Sequence, residues 1–461
     1  MSQTVFFLGS HPAISTVEVV AAGERLGWQA TWDTSRLPVV LIGEGAFPSP
    51  AKIQPLLGGT MMIGTLRATF PAFPQPEDVL EVIPELQEER SGKRLIGVSA
   101  FPYTSLASSG GVSAQTTSSE FTVLRKTVNS DTGTYGRISA DVRAFSMALK
   151  RAVGRKGTRV VFPAARRSDL STAQLLHNGL PKDGTALVFL VAPERVDLVT
   201  VDTIQDIENY ARRDRGRPYA DPGRGMLPPK VAQMLINMSR VPPDGTLYDP
   251  FCGVGTIPME AALMGLNVIA SDISPTQVER TQQNLHWLAT AYSERFPPSV
   301  SDESAIIHDS TGAHAGVPYR GKAQVFVHDM TKGAPSLKAN IVHAVVTEGW
   351  LGPARSASPL PHEAEKVFSD VSELLHSTFE RVRPVVRSGG SFVVTVPAFR
   401  VKKRLFRFPL EQLSSPGWKQ ESLVPSAWRD HTIFRDAAQG TLLYGRPDAI
   451  VLREVVRFVR A

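Results

Sequence analysis

Leu247-Tyr248-Asp249-Pro250-Phe251-Cys252-Gly253-Val254-Gly255-Thr256-Ile257 reads as a short buried strand that runs into a glycine-rich turn and then a helix. Beyond that helix, Asn267-Val268-Ile269-Ala270-Ser271-Asp272 reads as a second strand ending on a carboxylate. This layout belongs to an open parallel sheet that binds nucleoside-containing ligands at the carboxyl ends of its strands. Gly253 and Gly255 lack a Cβ, so backbone can approach a ligand closely there. Asp272, at the tip of the second strand, is placed to accept both hydroxyls of a ribose. The competing reading is an ordinary strand–helix turn in which Asp249 merely caps the helix.

Asp249 narrows the ligand. A dinucleotide site turns bare N–H groups toward a pyrophosphate and keeps carboxylates away from it. A carboxylate at the end of the strand repels phosphate and attracts the ammonium of an amino acid. An amino acid joined to an adenosine is S-adenosylmethionine. Phe251 and Thr256 in the turn and Ile273 beside Asp272 join Asp249, Gly253, Gly255 and Asp272 in the expected cofactor set.

The chain has 461 residues, enough for two or three domains with substantial cores. Its 42% hydrophobic and 20% charged residues fit an ordinary water-soluble protein. No apolar run approaches the roughly 18–20 residues of a membrane span, so no membrane partner is expected. The amino terminus lacks the basic flank of a signal peptide and reads as a first strand. With Cys252 as its one cysteine, the chain can form no internal disulfide and no zinc site built on several cysteines. A reducing cytoplasm is the simplest compartment, and Cys252 reads as a small buried packing residue.

The formal charge is +6, which permits a polyanionic partner without demonstrating one. Between Arg143 and Asp183 nine Lys/Arg stand against two Asp/Glu, and Arg151, Arg155, Lys156, Arg166 and Arg167 are candidate phosphate contacts. A second cluster, Arg400, Lys402, Lys403, Arg404 and Arg407, is interleaved with Phe399 and Phe406. A solvated basic face is the competing explanation for both.

Periodicity divides the chain into three. Residues 1–56 alternate a strand (Val5 to Gly9), a helix opening on Ser15 with Glu18 as its capping-box partner, and a strand (Pro38 to Gly43). Residues 57–208 hold strands near Leu95 to Phe101, Arg159 to Phe162 and Thr185 to Val191, a helix from Ala140 to Val153, and a low-complexity stretch at 104–119 that reads as a mobile loop or insertion. From 209 onward, a Pro/Gly/Arg-rich connector (Tyr210 to Met226) leads to a helix and then to alternating strands and helices. The expected strands are 246–251, 267–272, 324–327, 344–347, 391–396, 432–434 and 440–445, closed by 449–458, which argues for a doubly wound sheet. The Pro/Ser/Gly-rich stretch 296–321 reads as an insertion.

Asp249 to Thr256 resembles the Asp-Pro-Phe-Cys-Gly-Ser-Gly-Thr motif of S-adenosylmethionine-dependent amino-methyltransferases that modify nucleic acid; by motif it is most like the THUMP-domain tRNA guanine-N2 methyltransferases. Val254 is the single departure, standing where Ser is commoner. Leu170 to Gln174, His177-Asn178-Gly179 and Asp202 to Ile207 resemble the THUMP module, and Phe6 to Gly9 with His11-Pro12 resembles the domain that precedes it. The resemblance implies an N-terminal α/β (ferredoxin-like) domain at 1–56, a THUMP-like RNA-binding domain at 57–208 that grips the acceptor end of tRNA, and a Rossmann-like methyltransferase domain at 209–461. It also implies that Asp329, followed by Met330, holds the adenine amino group, and that the connector lies beneath the methionine part of the cofactor.

The resemblance weakens at the acceptor loop. Family members place Asp-Pro-Pro-Tyr or Asn-Pro-Pro-Tyr at the end of the fourth strand, where oxygens accept the N–H bonds of the target amine and the aromatic ring stacks on a flipped base. No metal is needed, because the sulfonium is already a good leaving group. This chain reads Thr347-Glu348-Gly349-Trp350-Leu351-Gly352-Pro353. Glu348 can accept an amino proton but reaches about 1.5 Å further than Asp. Gly349 stands in place of a proline, and Trp350 arrives one position early for the aromatic. Glu348 and Trp350 are therefore the expected catalytic residues. The implied function is methyl transfer to a base amine in RNA, foremost guanine N2 of tRNA. Two rivals remain: a DNA adenine-N6 or cytosine-N4 methyltransferase, and an RNA-binding relative that has lost catalysis at the altered loop.

Overall fold

The computed structural model describes residues 3–88, 94–103, 134–154, 157–164, 167–221, 225–292, 306–308, 314–316, 323–401 and 404–461. The low-complexity stretch at 104–119 and most of 296–321 lie outside them. The chain divides into two compact units: residues 1–16, 28–55 and 59–207 form one, and residues 17–27, 56–58 and 208–461 form the other. Among the described residues, no helix is long and apolar enough to cross a membrane.

The first unit is built on β1 (Gln3–Leu8), β2 (Gln29–Asp33), β3 (Val40–Ala46), β4 (Thr60–Phe70), β5 (Leu95–Pro102), β6 (Arg159–Val161), β7 (Thr185–Ala192) and β8 (Arg195–Ile204). They form one sheet in the order β2-β3-β1-β4-β8-β7-β5-β6. Only the β5 pairings, to β6 and β7, are parallel. Alternate side chains of a strand leave on opposite faces, and β7 shows why an unbroken apolar run suits its place. Ala186, Val188 and Leu190 enter one core, while Leu187 and Phe189 enter the other. The boundary expected near residue 56 falls between β3 and β4, two members of this sheet.

The helix after β1 spans Pro12–Leu26, so Ser15 lies inside it and is not the N-cap that the sequence led us to expect. Its hydroxyl instead donates to the His11 carbonyl (2.9 Å). Pro12 can open a helix because its missing N–H would have had no partner there. Glu18 is fully buried and accepts from the Gly58 N–H (2.7 Å) and the Asn237 amide (3.1 Å), so it serves packing rather than a capping box.

The second unit carries β9 (Thr246–Asp249), β10 (Asn267–Asp272), β11 (Ile306–His308), β12 (His314–Gly316), β13 (Ala323–Val327), β14 (Val342–Glu348), β15 (Val386–Val401), β16 (Arg404–Phe406), β17 (Trp418–Glu421), β18 (Leu442–Tyr444) and β19 (Val451–Arg460). Its main sheet runs β13-β10-β9-β14-β15-β19-β17. Pairings from β13 to β15 are parallel, while β19 is antiparallel to β15 and β17. The order reverses between β9 and β14, which opens a crevice at their carboxyl ends. Helix Pro361–Val382 buries Ala364, Val367, Phe368, Val371, Leu375, Phe379 and Val382, an apolar stripe at helical spacing. Phe379 meets Phe392 of β15, Phe458 of β19 and Trp418 of β17, with ring centroids 4.6, 4.9 and 5.6 Å apart. That cluster holds the antiparallel end of the sheet beneath one helix. The strand expected at 432–434 is a single 3-10 turn, Thr432–Phe434, stabilised by the His431 ring accepting from the Ile433 N–H.

Candidate functional site

The turn after β9 is fixed by its neighbours. Gly253 (φ 53°) and Gly255 (φ 82°) hold left-handed backbone, which only glycine adopts freely. A Cβ on Gly255 would stand 2.8 Å from the Thr281 methyl, whereas one on Gly253 would meet nothing within 4 Å. Gly255 is therefore a packing glycine, and Gly253 leaves open space on its side of the turn. Thr281 donates to the Gly253 carbonyl (2.7 Å). The Asn284 amide donates to the carbonyls of Val254 and Tyr219 (both 2.8 Å) and accepts from the Tyr219 N–H (3.0 Å), tying turn and connector to one helix. Thr256 is buried as the first residue of helix Thr256–Leu263.

Asp249 ends β9 with 2% of its surface exposed. It accepts the Thr347 hydroxyl from the end of β14 (2.6 Å) and the Phe251 N–H (3.2 Å). Burial pushes its carboxyl up to about 7, against the pull of those two donors and with help from the charges of Asp272 and Glu348. Asp272 ends β10, and its carboxylate accepts from the Gly253 N–H (3.0 Å) and the Ser274 N–H (2.9 Å). Ile273 beside it is 64% exposed, an apolar surface at the mouth of the crevice. Cys252 is buried, and burial pushes its thiol up, which suits packing and not nucleophilic attack.

Asp329 follows β13 and is engaged in its own turn. One carboxylate oxygen accepts from the Thr331 N–H (2.9 Å) and hydroxyl (2.6 Å), and Lys332 lies 3.3 Å from the other. These donors hold it below the ordinary carboxylate range. The Met330 side chain belongs to the core, 3.6 Å from the Tyr248 hydroxyl, so the structure does not bring it to the turn.

Glu348 ends β14 as expected, and it has a partner that no local pattern announces. Arg453 of β19 donates Nε to one carboxylate oxygen (2.5 Å) and Nη2 to the other (3.2 Å). Burial holds the Glu348 carboxyl above its ordinary range even with this guanidinium against it. Trp350 is 44% exposed, which excludes core packing as its role. Gly352 closes the loop at φ 93°. Thr347 and Arg453 are residues the sequence pattern missed; both lie about a hundred residues in sequence from the carboxylate they bind.

The basic clusters fare unevenly. Arg151 is exposed in the last turn of helix Thr134–Val153. Arg167 is half-exposed and sits 3.5 Å from Asp169. Arg155, Lys156, Arg166, Lys402 and Lys403 lie outside the described residues. Arg407 is no surface cation: it forms an ion pair with Glu454, which is 1% exposed, and donates to the Thr441 hydroxyl (2.9 Å). Phe399 is fully buried, so the aromatic interleaving of that cluster is core packing.

Residues 215–299 match a family model described as the RMKL-like methyltransferase domain. Over 77 residues the chain is 43% identical to a tRNA (guanine(10)-N2)-dimethyltransferase of Methanothermobacter thermautotrophicus, a match that covers 17% of this chain and 22% of that protein. Over 97 residues it is 35% identical to the protein of the same name from Pyrococcus abyssi, covering 19% of this chain and 27% of that one. The matched segments thus span about a quarter of each curated relative. TrmN from Thermus thermophilus shares the fold over the full length of both chains, with a TM-score of 0.50 and 14% identity. The second unit thus has a Rossmann-like fold, and residues 215–299 within it are similar to the RMKL-like methyltransferase domain.

Proposed function

We propose that this chain transfers a methyl group from S-adenosylmethionine to an exocyclic amine of RNA, foremost N2 of a guanine in tRNA. The observation that carries the reading is the meeting of Asp249 and Glu348 at the point where strand order reverses, joined through Thr347. The names of the two curated relatives support tRNA as the substrate.

The residues present fit the cofactor. A Cβ on Gly253 would meet nothing within 4 Å, so that side of the turn is open to a ligand. Asp249 answers the ammonium, Asp272 the ribose, and Ile273 offers the adenine an apolar surface. Asp329 would serve the adenine amino group only by sharing an oxygen with its turn. Arg217 answers the carboxylate: it is 4% exposed, its Nε has no hydrogen-bond partner, and its Nη1 reaches only the Met259 sulfur (3.6 Å) on the helix that the turn opens. Burial lowers its guanidinium to about 10, a cost that an anion would relieve. When bound, the cofactor supplies an activated methyl on a sulfonium. Glu348 accepts an N–H of the target amine, which turns the nitrogen lone pair toward the methyl carbon. Trp350 offers the flipped base a stacking surface.

Residues 1–56 and 57–208 are proposed as an N-terminal α/β domain and a THUMP-like domain that position the RNA, with Arg151 and Arg167 among the phosphate contacts. The test is a transfer assay with tRNA and duplex DNA side by side, followed by nucleoside mass spectrometry. Glu348→Ala should abolish transfer while binding S-adenosylhomocysteine with unchanged affinity. Transfer to DNA alone would overturn the substrate. Binding of both ligands with no transfer to any tRNA pool would make the chain a non-catalytic relative.

A further inference from the structure

We propose that Arg453 is a positioning residue for Glu348, holding by an ion pair an acceptor loop that carries no proline beside its carboxylate. The inference rests on the reading that this site methylates an exocyclic amine. Glu348 is followed by Gly349 and Trp350, and the first proline is Pro353, so nothing in the local backbone stiffens the position of the carboxylate. Glu also has one more rotatable bond than Asp. A carboxylate that must present an oxygen to an amine within a few tenths of an ångström needs an external restraint.

Arg453 supplies one. It stands on β19, opposite Pro397 of β15, while Glu348 stands opposite Thr395 of the same strand. The guanidinium thus reaches back across β15 to the end of β14. Its planar fork engages both oxygens of Glu348, which fixes the plane of the carboxylate as well as its place. Nη2 also donates to the Gly225 carbonyl (2.7 Å), so the connector is tied to the same point. Each carboxylate oxygen can accept more than one hydrogen bond, so the pairing leaves acceptor capacity for a base amine. Tyr444 of β18 pairs opposite Arg453, and Asp249 is coupled to Glu348 by charge. Thr347, adjacent to Glu348, ties the loop to Asp249, so cofactor and acceptor groups share one framework.

The experiment is a double-mutant cycle on transfer to tRNA, with S-adenosylhomocysteine binding and thermal midpoint measured on every variant. Arg453→Met should lower kcat at least tenfold while KM for tRNA and the cofactor Kd stay within threefold. Arg453→Lys, which keeps the charge but not the fork, should retain an intermediate kcat and a near wild-type melting temperature, and it decides the matter if the Met variant does not fold. Glu348→Gln combined with Arg453→Met should be no worse than Glu348→Gln alone. An active wild type whose two substitutions multiply, or a Lys variant with unaltered kcat, overturns the role of Arg453 and leaves the proposed function standing. A wild type that transfers nothing to tRNA overturns both.

Discussion

Replacing Asp249 by Asn should stabilise the ligand-free protein at alkaline pH and not at acid pH. The carboxyl is buried at the end of β9, and its midpoint is pushed from 3.8 to about 7. The folded state therefore binds this proton more tightly than the unfolded chain does. Folding is favoured while the group stays protonated, and the cost of ionising it accumulates as pH rises from about 4 to about 7, then stays constant. About three units at roughly 1.4 kcal/mol each set an upper bound of about 4 kcal/mol. Asn removes that cost, and its carbonyl can still accept from Thr347 and Phe251, bonds worth about 1 kcal/mol each. The expected gain is about 2–4 kcal/mol at pH 8 and near zero at pH 4, read by urea denaturation of both proteins at each pH. Cofactor affinity should fall at least tenfold in the same variant, since the amide cannot answer an ammonium with charge. A variant less stable than wild type at pH 8, or a difference that does not change between pH 4 and pH 8, would refute the assignment of Asp249 as a buried group strained for binding.

Three further outcomes follow from single contacts. Arg407→Met should cost about 3–5 kcal/mol in urea denaturation, because it leaves the buried carboxylate of Glu454 unpaired, and Glu454→Gln should recover part of that loss. Gly352→Ala should lower stability by about 1–3 kcal/mol, because the position holds φ 93° and a Cβ would stand 3.1 Å from the Val367 side chain; an unchanged melting temperature would contradict the loop geometry. Trp350→Ala should leave stability within about 0.5 kcal/mol, the ring being 44% exposed, while weakening RNA binding by about 1–3 kcal/mol in a titration with tRNA.

Legibility in the sequence followed the range of the interactions. The turn from Asp249 to Thr256 and the strand ending at Asp272 were readable because glycine backbone and apolar runs act within a few residues. The basic cluster at 400–407 misled in part. Arg407 looks like its neighbours in the chain and differs only in having a buried glutamate across the fold. Strand β17, Trp418–Glu421, carries little alternation of its own; it is a strand because it pairs along β19 and puts Trp418 against Phe379. The expected strand at 432–434 is instead a turn closed on itself, with the Phe434 N–H donating to the His431 carbonyl (2.9 Å).

By itself the sequence determined that a glycine turn between two strands ends on carboxylates suited to an adenosyl amino acid, because those features are local and chemical. The tertiary structure decided what surrounds each carboxylate. Burial makes Asp249 a strained acceptor that the Thr347 hydroxyl holds in place, the turn's own N–H groups orient Asp272, and Arg453 fixes Glu348. The last of these could not be read from the chain, because a guanidinium and a carboxylate 105 residues apart become a pair only when the sheet places β19 two strands from β14, across β15.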